Sequence, residues 1–460
     1  MANLSKKKTH MPTQEVEKRI QNFQEVATGY DVLLAREEAE RCLQCAHPLC
    51  VQGCPVHIEI PRFIHKIKEG KEEEAYQIIL QSSCLPAVCG RVCPQEQQCE
   101  MRCVRGKNGE PVAIGRLERY VADTYRKNHA VNQIPAIKHN DYKVAVIGSG
   151  PSGLTVAGEL LKEGFSVTLY EEKESLGGAL TYGIPTFRLP YEVTQYEIQR
   201  LLNLGLNVQY RTSFPKDVSL SYLKENYDAI FLGIGANHPQ SMRIPGEESK
   251  GVYSAQDFLE EVNIHHAYLN QHHPFYQAKK ILVVGGGNVA MDAARSARRF
   301  GNDVTIVYRR GEEELPAFDD EIHHAKEEGI QFMLLTSPIA IIADETNHVY
   351  QVECVEMELG EMDESNRRRP IEKKGSNFLL PADLVILAIG SHVDTKLGDI
   401  SGLVTTPKNQ IVIDEMGRTS LKGVYAGGDV VTGPATVILA MQAGKNAAKA
   451  IIEDIKKERF

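Results

Sequence analysis

The sequence predicts an α/β protein, two parallel-sheet units preceded by an all-α, cysteine-rich domain, and three observations carry that prediction. Nine of the ten cysteines fall between Cys42 and Cys103, in a stretch of helical periodicity. Beyond about residue 141 the texture changes to short apolar runs alternating with helical segments, the sign of a parallel sheet with crossover helices. One event also occurs twice: an apolar run, a glycine-rich turn, a helix and a second apolar run, at 143–170 and again at 281–308. At 460 residues the chain has room for about three domains.

Composition narrows the class. Hydrophobic content of 42% and charged content of 25% are those of an ordinary globular chain. A net charge of −9 and a pI near 6.0 argue against nucleic acid or an anionic membrane as partner. No apolar run is long enough to span a bilayer. The opening MANLSKKKTH has no apolar segment behind its lysines, so it is not a signal peptide, and Lys6, Lys7 and Lys8 read as a solvated tail. The compartment expected is the reducing cytoplasm, where thiols stay free.

Residues 13–41 carry helical periodicity and deliver the chain to Cys42. The thiols then run Cys42-x2-Cys45-x4-Cys50-x3-Cys54-Pro and, after Cys84, Cys89-x3-Cys93-Pro-x4-Cys99-x3-Cys103. Between the two groups, residues 61–82 read as two short helices, with Pro61 at a first helical position and Gly70 separating them. That hairpin brings the distant groups together. A helix containing Ile114, Leu117, Glu118 and Tyr120 follows, and the polar stretch 127–141 reads as a linker. Short gaps with a Pro after the last Cys resemble ferredoxin-type ligation of iron–sulfur clusters. Zinc held by four thiolates is the alternative, but zinc ribbons favour paired C-x2-C hooks and one occurs here. Disulfides conflict with the compartment.

The first glycine-rich turn is Gly148, Ser149, Gly150, Pro151, Ser152 and Gly153, between the strand Lys143–Ile147 and a helix closed by Gly164. The next strand, Phe165–Tyr170, ends at Glu171, so the dinucleotide fingerprint of a Rossmann-like domain is complete. The glycines make the turn, admit a pyrophosphate and let helix and strand pack, the helix N-terminus faces phosphate charge, and the acid meets a ribose diol. The second turn has Gly285, Gly287, Asn288 and Val289, with Ala290 in the third glycine position. Counting from its first glycine, Tyr308 and Arg309 stand where Glu171 and Glu172 stand in the first, and Arg310 follows. Guanidinium in place of the acid suits a 2′-phosphate, so this site is expected to take NADP(H).

Three further glycine-bearing strands follow the same logic, Phe231–Ala236, Asp383–Gly390 and Thr419–Asp429. Together they resemble the two-dinucleotide-binding flavoproteins, in which an NAD(P)H domain interrupts an FAD domain. That resemblance implies that Gly428 and Asp429 return to the FAD site, with Asp429 on the ribitol chain. It also implies that a helix beginning near Thr436 and Val437 points its N-terminus at the flavin. No C-x2-C dithiol lies in either nucleotide domain, which counts against disulfide exchange as the exit for electrons.

The cysteine stretch, Leu176-Gly-Gly-Ala-Leu-Thr-Tyr-Gly-Ile-Pro-Thr-Phe-Arg-Leu-Pro190, Gly285-Gly-Gly-Asn-Val-Ala-Met-Asp292 and Tyr308-Arg-Arg310 occur in an order that resembles the glutamate synthase small (beta) subunit family over essentially the whole chain. That family includes the large subunit of the electron-bifurcating NADH-dependent ferredoxin:NADP oxidoreductase. The resemblance implies FAD, NADP(H) and two [4Fe-4S] clusters. One cluster would take Cys42, Cys45, Cys50 and Cys103. The other would take Cys54, Cys93, Cys99 and Glu118, with Cys89 the rival fourth ligand. Gly177 and Gly178 would pass the FAD pyrophosphate, Arg188 would contact the cofactor, and Gly390 would lie near a nucleotide.

The domains expected are 1–140, helical with the clusters; 141–262 and 391–460, the FAD domain; and 263–390, the NADP(H) domain. Hydride would pass between nicotinamide and flavin with no acid–base residue, and electrons would leave singly through the clusters to a partner subunit in a hetero-oligomer. That partner would be a glutamate synthase large subunit or a ferredoxin- or NADH-linked flavoprotein. A reading of another class makes the chain a zinc-stabilised scaffold with vestigial nucleotide sites.

Overall fold

The computed structural model describes residues 3–129, 140–363, 367–394, 397–398 and 400–457. Part of the expected linker, 130–139, lies outside them. The first sheet is parallel, in the order Val424–Ala426, Ala229–Leu232, Lys143–Ile147, Ser166–Tyr170, Asn207–Gln209. Its central strands are buried on both faces, which is why they read as unbroken apolar runs. The edge strand Val424–Ala426 comes from near the C-terminus, so the chain leaves this sheet after its fourth visit, at Ala229–Leu232, and builds an inserted unit before returning for the last.

The insertion has its own parallel sheet, in the order Val252–Ser254, Leu384–Leu387, Lys280–Val284, Asp303–Tyr308, Gln331–Leu334. Because Val252–Ser254 pairs with Leu384–Leu387, this unit begins before residue 263, the boundary read from sequence. His238–Pro239 and Ser391–His392 pair antiparallel where the chain enters and leaves it. A four-stranded antiparallel sheet of Thr336–Ala343, Val349–Met362, Arg368–Glu372 and Phe378–Pro381 is attached, and the sequence reading did not foresee it.

The N-terminal region is helical but broken. Residues 13–41 form not one helix but the turns Val16–Arg19 and Val32–Glu40, separated by an extended return in which Thr13 pairs with Ala27 and Gly29 takes φ +84°. Asp31 caps the second, accepting from the N–H groups of Leu33 and Leu34 at 2.9 Å each. The hairpin expected between the cysteine groups is Ile60–Lys68 and Glu72–Leu80. It buries Phe63, Ile64, Ile67, Ala75 and Ile79 against the helix Ile114–Asn128, which contributes Leu117 and Val121. Helix Pro86–Val92 lies so close to that helix that a Cβ on Gly90 would stand 2.5 Å from the backbone nitrogen of Arg119. This apolar core runs on without a break into Leu154, Leu160 and Leu201 of the first α/β unit.

The inserted unit is held against the rest by the Phe23 ring, stacked on Tyr268 and edge-on to Phe300, and by charge. Glu328 is fully buried among Arg19, Arg295 and Arg299, at 3.0, 2.8 and 2.9 Å. Burial alone would raise its pKa, but Arg295 and Arg299 outweigh burial and hold the carboxyl down to about 2. Removing it takes from Arg299 its carboxylate partner among the described residues and leaves Arg19 and Arg295 to Glu327 and Glu321 alone. Glu328→Ala is therefore expected to cost about 3–5 kcal/mol in urea unfolding at pH 7. The Glu328 contribution is present above the unfolded carboxylate range near 4.3 and is lost as pH falls towards 2. A variant within 1 kcal/mol of the parent would show that the network is not stabilising.

Candidate functional site

The first fingerprint sits between Ile147 and the helix Pro151–Lys162. Gly148 takes φ +93°, and a Cβ there would meet the carbonyl oxygen of Gly233 at 2.5 Å. A Cβ on Gly153 would stand 2.0 Å from the carbonyl oxygen of Gly148, so strand and helix pack only through glycine. A Cβ on Gly150 would meet nothing within 4 Å. The loop thus opens outward at its second glycine, over the N-terminus of a twelve-residue helix, which is the form of an anion cradle. Gly178, at φ +53°, closes one side of that opening, its absent Cβ 3.0 Å from the Cα of Gly150.

Glu171 is buried at the end of the second strand. One carboxylate oxygen accepts from the N–H and Oγ of Ser149 at 3.0 and 2.5 Å, and the other from the N–H of Lys173 at 2.9 Å. Ser149 Oγ in turn accepts from the N–H of Gly177 at 3.0 Å, tying fingerprint, acid and Gly177–Gly178 into one unit. From the far end of the chain, Gly428 fits against Ser152, where a Cβ would lie 2.7 Å from its Oγ. Burial pushes the Asp429 carboxyl up to about 6 against a bond from the N–H of Ala435. The long helix Val437–Lys457 starts beside it, with Thr436 and Val437 half-buried. A cavity of about 450 Å³ opens where the crossing strands meet the loop after Asp429, lined by Gln240, His392, Gln410, Thr432, Gly433 and Pro434. Gly390, at φ +105°, stands near Gln240 at its edge.

In the second fingerprint, Gly285 takes φ +142°, with the Ala388 carbonyl oxygen 2.3 Å from an added Cβ. Gly287 is open apart from Pro316 at 3.9 Å, Val289 is 48% exposed, and Asn288 accepts from the N–H of Phe318 at 2.9 Å. The two arginines part company. Arg309 is exposed beyond the strand end. Arg310 is buried, donating to Asp363 Oδ2 at 2.5 Å and to the Arg368 carbonyl at 2.9 Å. Arg188, expected against a cofactor, lies where it spans the two α/β units. It holds Asp292 at 2.7 and 2.8 Å and Glu321 at 3.0 Å. Phe187 beside it lies under the guanidinium groups of Arg295 and Arg299.

All ten cysteines are free. Nine thiol positions in the helical domain sort into neighbourhoods. Burial first, and then the nearness of Cys103 and Cys45, raises the thiols of Cys42 and Cys50. Cys54, Cys93 and Cys99 lie near Glu118. Among the described residues no three His, Cys, Asp or Glu side chains converge as a single metal ion requires.

Glu118 is 6% exposed, and its Oε1 has no hydrogen-bond partner. Burial first, and the charge of Glu197 second, push its carboxyl up to about 8. An orphaned carboxylate oxygen beside three thiols fits a ligand to a group placed among them. Cys89 touches the same neighbourhood through Cys93, but its sulfur is also 3.4 Å from that of Met441. Cys84 is buried against Thr155 Oγ1 at 3.3 Å, and Cys354 is buried in the inserted unit.

A family profile described as dihydropyrimidine dehydrogenase domain II, 4Fe-4S cluster, matches residues 19–130. A second, pyridine nucleotide-disulphide oxidoreductase, matches residues 142–444. The chain is 35% identical to the glutamate synthase [NADPH] small chain of Escherichia coli, over 94% of this chain and 93% of that one. It belongs to the glutamate synthase small chain family. Family membership makes it an NADP(H)-dependent oxidoreductase with FAD and iron–sulfur cofactors. It is also 37% identical to the NADP(+)-dependent formate dehydrogenase subunit beta of Moorella thermoacetica, over 89% of this chain and 60% of that protein's length. Among solved structures, Mycobacterium tuberculosis FprA in complex with NADPH shares the fold, with a TM-score of 0.58 at 22% identity, covering 70% of this chain and 86% of that one. No described helix is long and apolar enough to cross a membrane.

The fourth-ligand question has a direct answer in spectroscopy. Glu118→Ala is expected to shift or abolish one cluster's electron paramagnetic resonance signal, while Cys89→Ser leaves both signals intact. The opposite pattern assigns the position to Cys89.

Proposed function

We propose that this family member is the NADP(H)-linked subunit of a hetero-oligomeric oxidoreductase of the glutamate synthase type, carrying electrons from NADPH to a partner subunit. The observation that carries this reading is the gathering of eight candidate ligands into two neighbourhoods, in a domain that shares its core with the first dinucleotide fold. Cys42, Cys45, Cys50 and Cys103 would hold one [4Fe-4S] cluster, and Cys54, Cys93, Cys99 and Glu118 the other. When bound, FAD supplies the conversion of a hydride from NADPH into single electrons for the clusters.

The chain's residues bind and orient. The backbone of Gly148–Gly153 and Gly177–Gly178 would carry the FAD pyrophosphate, Glu171 a ribose, and Asp429 the ribitol. The N-terminus of Val437–Lys457, with Thr436, would favour negative charge on the ring. Gly285, Gly287, Asn288 and Val289 would seat the NADPH pyrophosphate, with Gly390 at the passage between the sites. Arg309 would meet the 2′-phosphate, with Arg310 holding the loop behind it through Asp363. Arg188, paired with Asp292 and Glu321, would keep the two nucleotide units in register.

Stopped-flow reduction of the bound flavin tests the nucleotide assignment. Arg309→Ala is expected to raise the NADPH concentration for half-maximal rate at least tenfold while leaving NADH nearly unaffected. Equal effects on both would remove Arg309 from the site. Mass spectrometry of the intact native complex tests the partner. A large amidotransferase-bearing subunit supports the glutamate synthase reading, and an NADH-linked flavoprotein would replace it with a ferredoxin-coupled one.

A further inference from the structure

The helix Val437–Lys457 begins beside Asp429 and then runs inward along the cysteine domain. Met441 and Lys445 are four residues apart on it, so they share one face. Met441 is fully buried, and its Sδ accepts from the S–H of Cys89 at 3.4 Å. Lys445 Nζ donates to the carbonyls of Val56 and Ser82, at 3.3 and 2.8 Å. Val56 stands two residues after Cys54, and Ser82 two before Cys84, so one ammonium ties both cysteine-bearing loops to this helix. Gly444 seats the helix on the first fingerprint, since a Cβ there would lie 2.5 Å from the Ser152 carbonyl oxygen. Lys445 is about 12 Å along the axis from Val437.

Lys445 differs from the other cations of this core in having no acid of its own. Arg200 is matched by Glu197 at 3.2 Å, and Arg91 by Glu25 and Asp123 at 2.7 Å each. Glu159 and Lys162, which face Lys445 from the fingerprint helix, pair with each other at 2.9 Å. Among the described residues the partners of Lys445 Nζ are carbonyls. Burial lowers its pKa from the usual lysine value, and the groups that oppose burial are Glu159 and then the thiols of Cys84 and Cys54. A half-buried ammonium therefore stands in the wall of the inner thiol group, on the side of Cys54.

We propose that Lys445 tunes the inner cluster, its charge holding that cluster's reduction potential within reach of the reduced flavin. The inference rests on the electron-transfer reading above and adds the residue that makes the first transfer favourable. Thiolate and carboxylate ligands leave such a cluster negative, and more so when reduced, so a fixed cation beside it favours the reduced state. Burial strengthens that field and shields it from salt. Each cluster reduced gains one electron that the flavin loses, and no bond at Lys445 forms or breaks.

The test is an anaerobic redox titration of the holoenzyme, followed by electron paramagnetic resonance, for the parent, Lys445→Met and Lys445→Arg. Cys54→Ser, which alters a ligand of the inner cluster, marks the signal that belongs to it. Lys445→Met keeps an apolar stem and removes the charge. At the parent's inner midpoint it is expected to lower the reduced-to-oxidised ratio at least tenfold, a shift of about 59 mV for one electron. Lys445→Arg is expected to restore the parent's value. The outer midpoint and the iron and flavin content are expected to stay unchanged in both variants. An unshifted inner midpoint in Lys445→Met, an equal fall in Lys445→Arg, or an equal shift of both clusters would overturn the proposal. Loss of iron from Lys445→Met would make Lys445 a clamp on the Cys54 loop and overturn it as well, as would a parent inner cluster that dithionite leaves oxidised. A parent without any cluster signal would strike the electron-transfer reading, and this proposal with it. Intact signals with an unshifted variant strike this proposal alone.

Discussion

Thiols and one carboxylate crowded into an apolar domain are the arrangement on which everything else in this structure depends. Burial raises the thiols of Cys50 to about 12 and of Cys54 to about 11, and Glu118 keeps an unpartnered oxygen. A neutral thiol interior of this kind is a poor end in itself and a good receptacle for a cluster, whose positive iron takes up the thiolate charge. The hairpin Ile60–Leu80 brings the early and late cysteine runs side by side, and Gly90 lets the helix Pro86–Val92 close on the helix that bears Glu118. The core that does this also contains Leu154 and Leu160 of the first fingerprint helix. Cluster domain and flavin fold are thus one packed body, which fixes the spacing across which electrons must move.

The inserted nucleotide unit is joined differently. Its links to the rest combine the stacking of Phe23 on Tyr268 with paired charges, Arg188 with Asp292 and Glu321, and Arg19 with Glu328, with Phe187 laid under Arg295 and Arg299. Such pairs demand particular geometry, since a misplaced partner leaves an uncompensated buried charge. They specify where the inserted unit sits more sharply than apolar contact would. The same residues explain why Arg188 lies in a motif rich in glycine and proline: the turn presents it across the boundary.

What was legible in the sequence is what local chemistry demands. Gly148, Gly153 and Gly285 are glycines because a Cβ would collide with backbone two to three ångströms away, so their spacing reports the fold directly. The cysteine spacing and the hairpin between its halves were visible for the same reason. What was not legible depends on partners far along the chain. The pairing of Arg310 with Asp363, and of Arg188 with Asp292, could not be read from the local motifs that contain the two arginines. The lysine tail became a strap through Glu100 and Glu110. The antiparallel sheet 336–381 was hidden because Val349–Met362 alternates only imperfectly between buried and exposed residues. The start of the second sheet at Val252 followed from a pairing with Leu384–Leu387, more than a hundred residues away.

The central claim is that the cysteine domain holds two iron–sulfur clusters in electronic contact with a flavin. The most direct measurement is the metal and flavin content of the anaerobically purified chain, with iron and zinc determined together. The account predicts about eight irons, one FAD and no zinc per chain. About two zincs with no iron would contradict it, leaving a zinc-stabilised scaffold in which the nucleotide folds have no route to pass electrons on.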